Sequence, residues 1–185
     1  MHAAKLRPLL LPLLIASPLA VSAENPTAHQ HGHAELQLAL SGQTVELYAL
    51  SPAYNLLGFE HEPRTSEEHQ VVDTTIAWLH ETPLINTLGL NCTIQASEVR
   101  YTFAGDQNHH GSEHESENKG KHESHTDIEI SQTLSCPDLD AASLLTSPMG
   151  SRFSALEHLE IAWTGPDGQG SLRLERGETS FQLGR

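Results

Sequence analysis

From His33 to Leu40 apolar and polar side chains alternate: Ala34, Leu36, Leu38 and Leu40 share one face, Glu35 and Gln37 the other. A period of two marks a half-buried strand. Ser41-Gly42-Gln43 supplies a turn, Thr44 to Leu50 returns as a second strand, and Ser51-Pro52 stops it. Ala53 to Phe59 predicts a short helical turn ending at Gly58. Thr65-Ser66-Glu67-Glu68 has the form of a capping box, with Thr65 as N-cap and Glu68 at the third helical position. Val72, Ile76 and Leu79 follow at helical spacing, so a helix is predicted over residues 66–81, ended by Pro83. Residues 84–88 read as a further turn of helix, and Asp138 to Leu145 as a short helix. Glu157 to Trp163 and Ser171 to Glu175 alternate on either side of Gly165-Pro166-Asp167-Gly168, a turn by composition.

Two longer runs lie in the middle of the chain. Cys92 opens the run CTIQASEVRYTF, and Cys136 closes the run DIEISQTLSC. The cysteines stand almost equally far from the segment between the runs. If the runs pair as an antiparallel hairpin, the cysteines meet at its base, which predicts a Cys92–Cys136 disulfide. Closing a loop of about 45 residues would stabilise the fold by roughly 4 kcal/mol on the chain-entropy model. The order ββ-α-ββ-α-ββ predicts an α+β domain: a mainly antiparallel sheet built from hairpins, with helices packed on one face.

Residues 1–23 stand apart from this pattern. Lys5 and Arg7 precede the apolar run Leu9 to Ala20, too short to span a bilayer, and Val21-Ser22-Ala23 offers small residues for cleavage. A signal peptide cut after Ala23 is expected. It would leave one α+β metal-binding domain over residues 24–185 in the periplasm, where a disulfide persists. No later apolar run is long enough to span a membrane, so no membrane insertion is expected after cleavage. The formal charge of −14 becomes −16 once Lys5 and Arg7 are removed. That acidity disfavours nucleic acid and anionic membranes as partners and favours cations.

Thirteen histidines make the charge informative. Residues 105–126 hold no aliphatic or aromatic side chain other than histidine and cannot build a core, so a disordered His/Glu-rich loop is expected there. Its His109, His110, His114, His122 and His125 are interspersed with Glu113, Glu115, Glu117 and Glu123. Imidazole and carboxylate suit Zn2+, and also Cu2+ or Ni2+. A flexible tract of this kind can fill a tetrahedral shell in several ways, so it should hold several ions loosely. The alternative is a solvated polar loop. His29-x-His31-x-His33 forms a second cluster. In extended chain alternate side chains share a face, so these three can converge on one ion. Glu60 and His61, in Gly58-Phe59-Glu60-His61-Glu62-Pro63, can complete a site begun there. His69, His80 and His158 read as structural histidines.

Catalysis is not expected. His122-Glu123-Ser124-His125 is one residue short of the metalloprotease HExxH, and the chain has no P-loop, dinucleotide fingerprint or Gly-x-Ser-x-Gly. Only Met1 and Met149 are present, which disfavours a thioether Cu(I) site.

Several blocks resemble the ZrgA-like family of zinc-regulated periplasmic proteins, long classed as a domain of unknown function. They are His31-Gly32-His33-Ala34-Glu35, Ser51-Pro52-Ala53-x-Asn55-Leu56-x-Gly58-Phe59-Glu60-His61-x-Pro63, Cys92 and Cys136 flanking the His/Glu-rich insert, and Gly165-Pro166-x-Gly168-Gln169-Gly170. The resemblance spans essentially the whole chain after the leader. It implies periplasmic zinc binding in the service of uptake, beside an inner-membrane ABC-type zinc transporter. Two other roles remain open at this point: a metal- or pH-responsive interaction or sensor module, and copper or nickel handling.

Overall fold

Where alternation is strictest, two nine-residue strands form: β1 (His33–Ser41) and β2 (Thr44–Pro52), paired antiparallel across the Gly42-Gln43 turn. The computed structural model describes residues 30–89, 91–101, 126–137, 139 and 144–183. Residues 1–29, with the expected signal peptide and His29, and the insert's five histidines therefore lie outside the described residues.

The long hairpin forms as expected from β4 (Thr93–Tyr101) and β5 (Asp127–Ser135), with Cys92 bonded to Cys136 at its base. The pair β7 (His158–Gly165) and β8 (Gly168–Glu175) turns at Pro166-Asp167. These six strands make one sheet in the order β4-β5-β2-β1-β7-β8. It is a mixed sheet, because β1 and β7 run parallel. Alternation identifies strands but carries no trace of a pairing made between distant segments, so hairpins alone were expected. A second sheet, ordered β3-β6-β9, is made of β3 (Asn86–Thr87), β6 (Leu144–Thr146) and β9 (Ser180–Gln182). Here the predicted elements need correction: residues 84–88 contain a strand rather than a helical turn, and the predicted helix over 138–145 ends in strand β6. Leu145 is buried against the register of Phe181, and that distant pairing overrides local helix preference. Residues 138 and 140–143 lie outside the described residues.

The apolar stripe of β1 (Ala34, Leu36 and Leu38) is buried together with Val45, Leu47, Ile130 and Ile161 from its neighbours. Helix α2 (Ser66–Glu81) contributes buried Thr75 and Leu79 to the core, with the predicted Val72 and Ile76 partly buried against it. The capping box closes as drawn: Thr65 Oγ1 accepts from Glu68 N at 3.1 Å, and Glu68 Oε2 accepts from Thr65 N at 3.2 Å and Arg64 N at 2.6 Å. The other end of α2 depends on Gln132, a buried polar residue of β5. Its Nε2 donates to the carbonyls of Leu79 (2.8 Å) and Thr82 (2.9 Å), while its Oε1 accepts from Leu84 N at 3.0 Å. Carbonyls freed at a helix end need such partners when buried. Short helices α1 (Ala53–Leu57) and α3 (Met149–Arg152) complete the described elements.

Strand directions sort the sheet into two ends. The disulfide, the Gly42-Gln43 turn and the Pro166-Asp167 turn lie at one end. The starts of β1, β5 and β7 and the finishes of β2, β4 and β8 lie at the other. Among the described residues, no helix is long and apolar enough to cross a membrane.

Two stability measurements check this frame. Replacing both Cys92 and Cys136 with Ala should lower the urea-unfolding free energy by roughly 4 kcal/mol. The Glu68 carboxyl is held below its ordinary value, first by the Arg64 backbone N–H, then by that of Thr65 and by nearby His61. A lowered carboxyl supports the fold at neutral pH and stops doing so as pH falls through its folded value. Glu68→Gln should therefore lower the melting temperature at pH 7, with the difference from the parent shrinking below about pH 4.3.

Candidate metal centre

The histidine-bearing start of β1 is fixed by one buried amide. Asn55 of α1 is 2% exposed. Its Oδ1 accepts from Gly32 N at 2.7 Å, and its Nδ2 donates to the His33 carbonyl at 2.7 Å and to Ser51 Oγ at 3.2 Å. From the other side, the Gly32 carbonyl accepts the backbone N–H groups of Glu157 (2.7 Å) and His158 (2.8 Å). Gly32 sits at φ 85°, and a Cβ there would come within 2.9 Å of the Glu157 side chain. Both facts call for glycine.

Because Gly32 is not extended, His31 and His33 depart from simple alternation. His31 stacks on Tyr54 of α1, ring centroids 4.3 Å apart at 17°, and its Nε2 lies 3.0 Å from Glu60 Oε1. Thus the structure brings together His31 and Glu60, two of the predicted ligands. His33 lies instead beside His158, its register partner across the parallel β1–β7 pair, with ring centroids 4.7 Å apart at 44°. Glu175, opposite His158 on β8, places Oε2 2.7 Å from His158 Nδ1, though outside hydrogen-bond alignment. The Nδ1 atoms of His33 and His158 are both buried with no hydrogen-bond partner.

His61 is placed toward the start of α2. Its Nδ1 lies 3.0 Å from the Glu62 carbonyl, its Nε2 3.7 Å from Glu68 Oε1, and its ring stacks on Phe59 at 5.1 Å. The predicted ligands His29, His109, His110, His114, His122 and His125 lie outside the described residues. The insert's two flanks are described, and they reach this same end of the sheet. Thr126 Oγ1 donates to the Glu60 carbonyl at 3.0 Å, and its own carbonyl accepts from Ala53 N at 2.7 Å. At the other flank, burial pushes the Tyr101 hydroxyl up to about 12.

Neighbouring acids are differently occupied. Arg176 pairs with Glu157 and Arg173 with Glu160, both at 2.5 Å, whereas Glu175 is directed to a histidine. Among the described residues, no group of three or more His, Cys, Asp or Glu already surrounds a common ion position. The ordered arrangement is two pairs, His31–Glu60 and His33–His158. Three members of the site went unremarked in the sequence: Asn55, Glu175 and the His158 contact. Asn55 stands in the Ser51–Pro63 block, but only the fold shows which backbone groups it ties.

A model described as the ZrgA family of zinc uptake proteins matches residues 28–183. The chain belongs to the ZrgA family. A comparison with the curated proteins gives no match. The ZrgA match covers both strands that carry the His33–His158 pair and the loop that carries Glu60. Membership ties the chain to zinc uptake, and imidazole and carboxylate donors suit that ion chemically.

Removing the buried amide should therefore disturb both pairs together. Asn55→Ala would leave the Gly32 N–H and His33 carbonyl without their partner, a loss of roughly 2–3 kcal/mol in urea unfolding. Gly32→Ala should also destabilise, by strain at positive φ and by crowding Glu157.

Proposed function

We propose that this protein is exported to the periplasm, captures Zn2+ there and supports its uptake by an inner-membrane ABC-type transporter. The observation that carries the reading is convergence at one end of the sheet. Imidazoles of His31, His33 and His158, carboxylates of Glu60 and Glu175, and both flanks of a segment with five histidines all meet there. The two cysteines are joined to each other at the opposite end, so no thiolate competes for the ion. Imidazole and carboxylate ligands without thiolate favour release as well as capture, as a protein that hands its ion onward requires. The insert would gather several ions loosely, while the ordered end would hold fewer and hold them longer.

Ligation requires neutral imidazole, so capture should weaken as pH drops below the ordinary imidazole value of about 6.5. Divalent copper binds such donors more tightly than zinc in general, so affinity alone does not name the cargo. Isothermal titration of residues 24–185 with Zn2+ at neutral pH should give multi-equivalent, saturable binding. Deleting residues 106–125 should remove most equivalents and spare the tightest. Cells lacking the protein should grow more slowly under zinc chelation and recover with added zinc rather than copper or nickel. No saturable binding, or no zinc-specific growth effect, would overturn the proposal.

A further inference from the structure

We propose that His33 and His158 are the ordered ion site of this protein, a two-imidazole clasp in which Glu175 supplies the adjoining negative charge. The inference rests on the zinc reading above and assigns that cargo a place.

Four observations carry it. The first is the backbone: β1 and β7 run parallel with His33 and His158 in register, so both side chains rise from neighbouring strands on the same face. Buried Ala34 and Leu159, next along each strand, confirm that the histidines face away from the core. The second is the unmet chemistry. Nδ1 of His33 is buried without a hydrogen-bond partner, an arrangement that costs free energy unless something is bound there, whereas Nδ1 of His158 has the Glu175 carboxylate 2.7 Å away, which leaves its Nε2 for an ion. A cation placed between the rings would take a lone pair from each, that of His33 Nδ1 and that of His158 Nε2.

The third is spacing. An ion about 2.0 Å from one nitrogen of each ring sits about 3.2 Å from each ring centre, and tetrahedral bonding then sets the centres about 5.2 Å apart. They are 4.7 Å apart here. Loading the clasp needs the rings to open by a few tenths of an ångström and to swing their lone pairs onto the ion. The fourth is charge. Glu175 Oε2 is 2.7 Å from His158 Nδ1, and its side chain is 57% exposed, so it can rotate with the ring or move onto the ion. Carboxylates beside ligating histidines fix ring orientation and raise basicity. The nearby Glu157 and Glu160 are each held by an arginine.

The other ordered pair fits an ion less well. It brings one imidazole rather than two: His31 faces Glu60, and its ring is stacked on Tyr54. Likewise Glu68, beside His61, is committed to the capping box of α2. Two protein ligands and an open remainder of the shell describe a site that exchanges its ion readily.

The test follows histidine ring nitrogens of the full mature protein, 15N-labelled, by long-range proton–nitrogen NMR as Zn2+ is added in fractions of an equivalent. The His33 and His158 signals, assigned with His33→Gln and His158→Gln, should move first, before the bulk of the insert's signals. In competition titrations either variant should weaken the tightest step at least tenfold, and Glu175→Gln by about threefold to tenfold. Thermal melts without zinc check that the variants fold, and the wild-type spectra need no variant at all. If zinc binds tightly while both ring signals stay still and both variants keep the tight step, the clasp is overturned and the zinc function stands. If the wild-type protein takes no zinc, both fall.

Discussion

The candidate site depends on how the backbone is held at Gly32. Its N–H is taken by the buried Asn55 side chain, and its carbonyl receives two N–H groups from the start of β7. One residue therefore joins α1 to both strands of the parallel pair. Without that junction His31 and His33 would have to be ordered at the full cost in backbone entropy before they could act together. With it, His31 is directed to Glu60 and Tyr54, and His33 is directed to His158. Positive φ at Gly32 separates the two histidines, so the segment serves two neighbouring pairs.

The disulfide closes the base of the β4–β5 hairpin at the end of the sheet away from the histidine pairs. The flanks of the insert open at the opposite end, where Thr126 is tied to the Glu60 carbonyl and to Ala53. A long polar segment can be carried there at modest cost in loop-closure entropy, which grows only slowly with length. Its stem is braced by a covalent bond at one end and by the Thr126 contacts at the other.

Much of the frame was legible in the residues. Alternation located β1, β2, β7 and β8, the capping box located α2, and cysteine spacing located the disulfide. What failed to show was every feature that joins distant segments: the parallel β1–β7 pair, the short strands of the second sheet, and Gln132 at the end of α2. The same limit applies to the site. His31 and Glu60 were marked as candidates, and they do meet. His158 read as structural because its neighbours in sequence are ordinary, and only the register of β1 against β7 brings it to His33. Asn55 ties Gly32 and His33, 23 and 22 residues away, and Glu175 faces His158, 17 residues away, beyond the reach of local patterns.

Zinc uptake requires a protein that binds the ion and then gives it up. A pair of imidazoles on the rim of a rigid sheet, with a carboxylate beside them, meets both needs better than a closed four-ligand cage would. The family membership and the chemistry of the sheet end point the same way. The central claim is that an ordered ion position exists between the starts of β1 and β7. Anomalous diffraction at the zinc edge, from crystals of residues 24–185 grown with one equivalent of Zn2+, tests it most directly. The account predicts the strongest anomalous peak between the His33 and His158 rings. Strong peaks elsewhere in the ordered domain, with none between those rings, would contradict it.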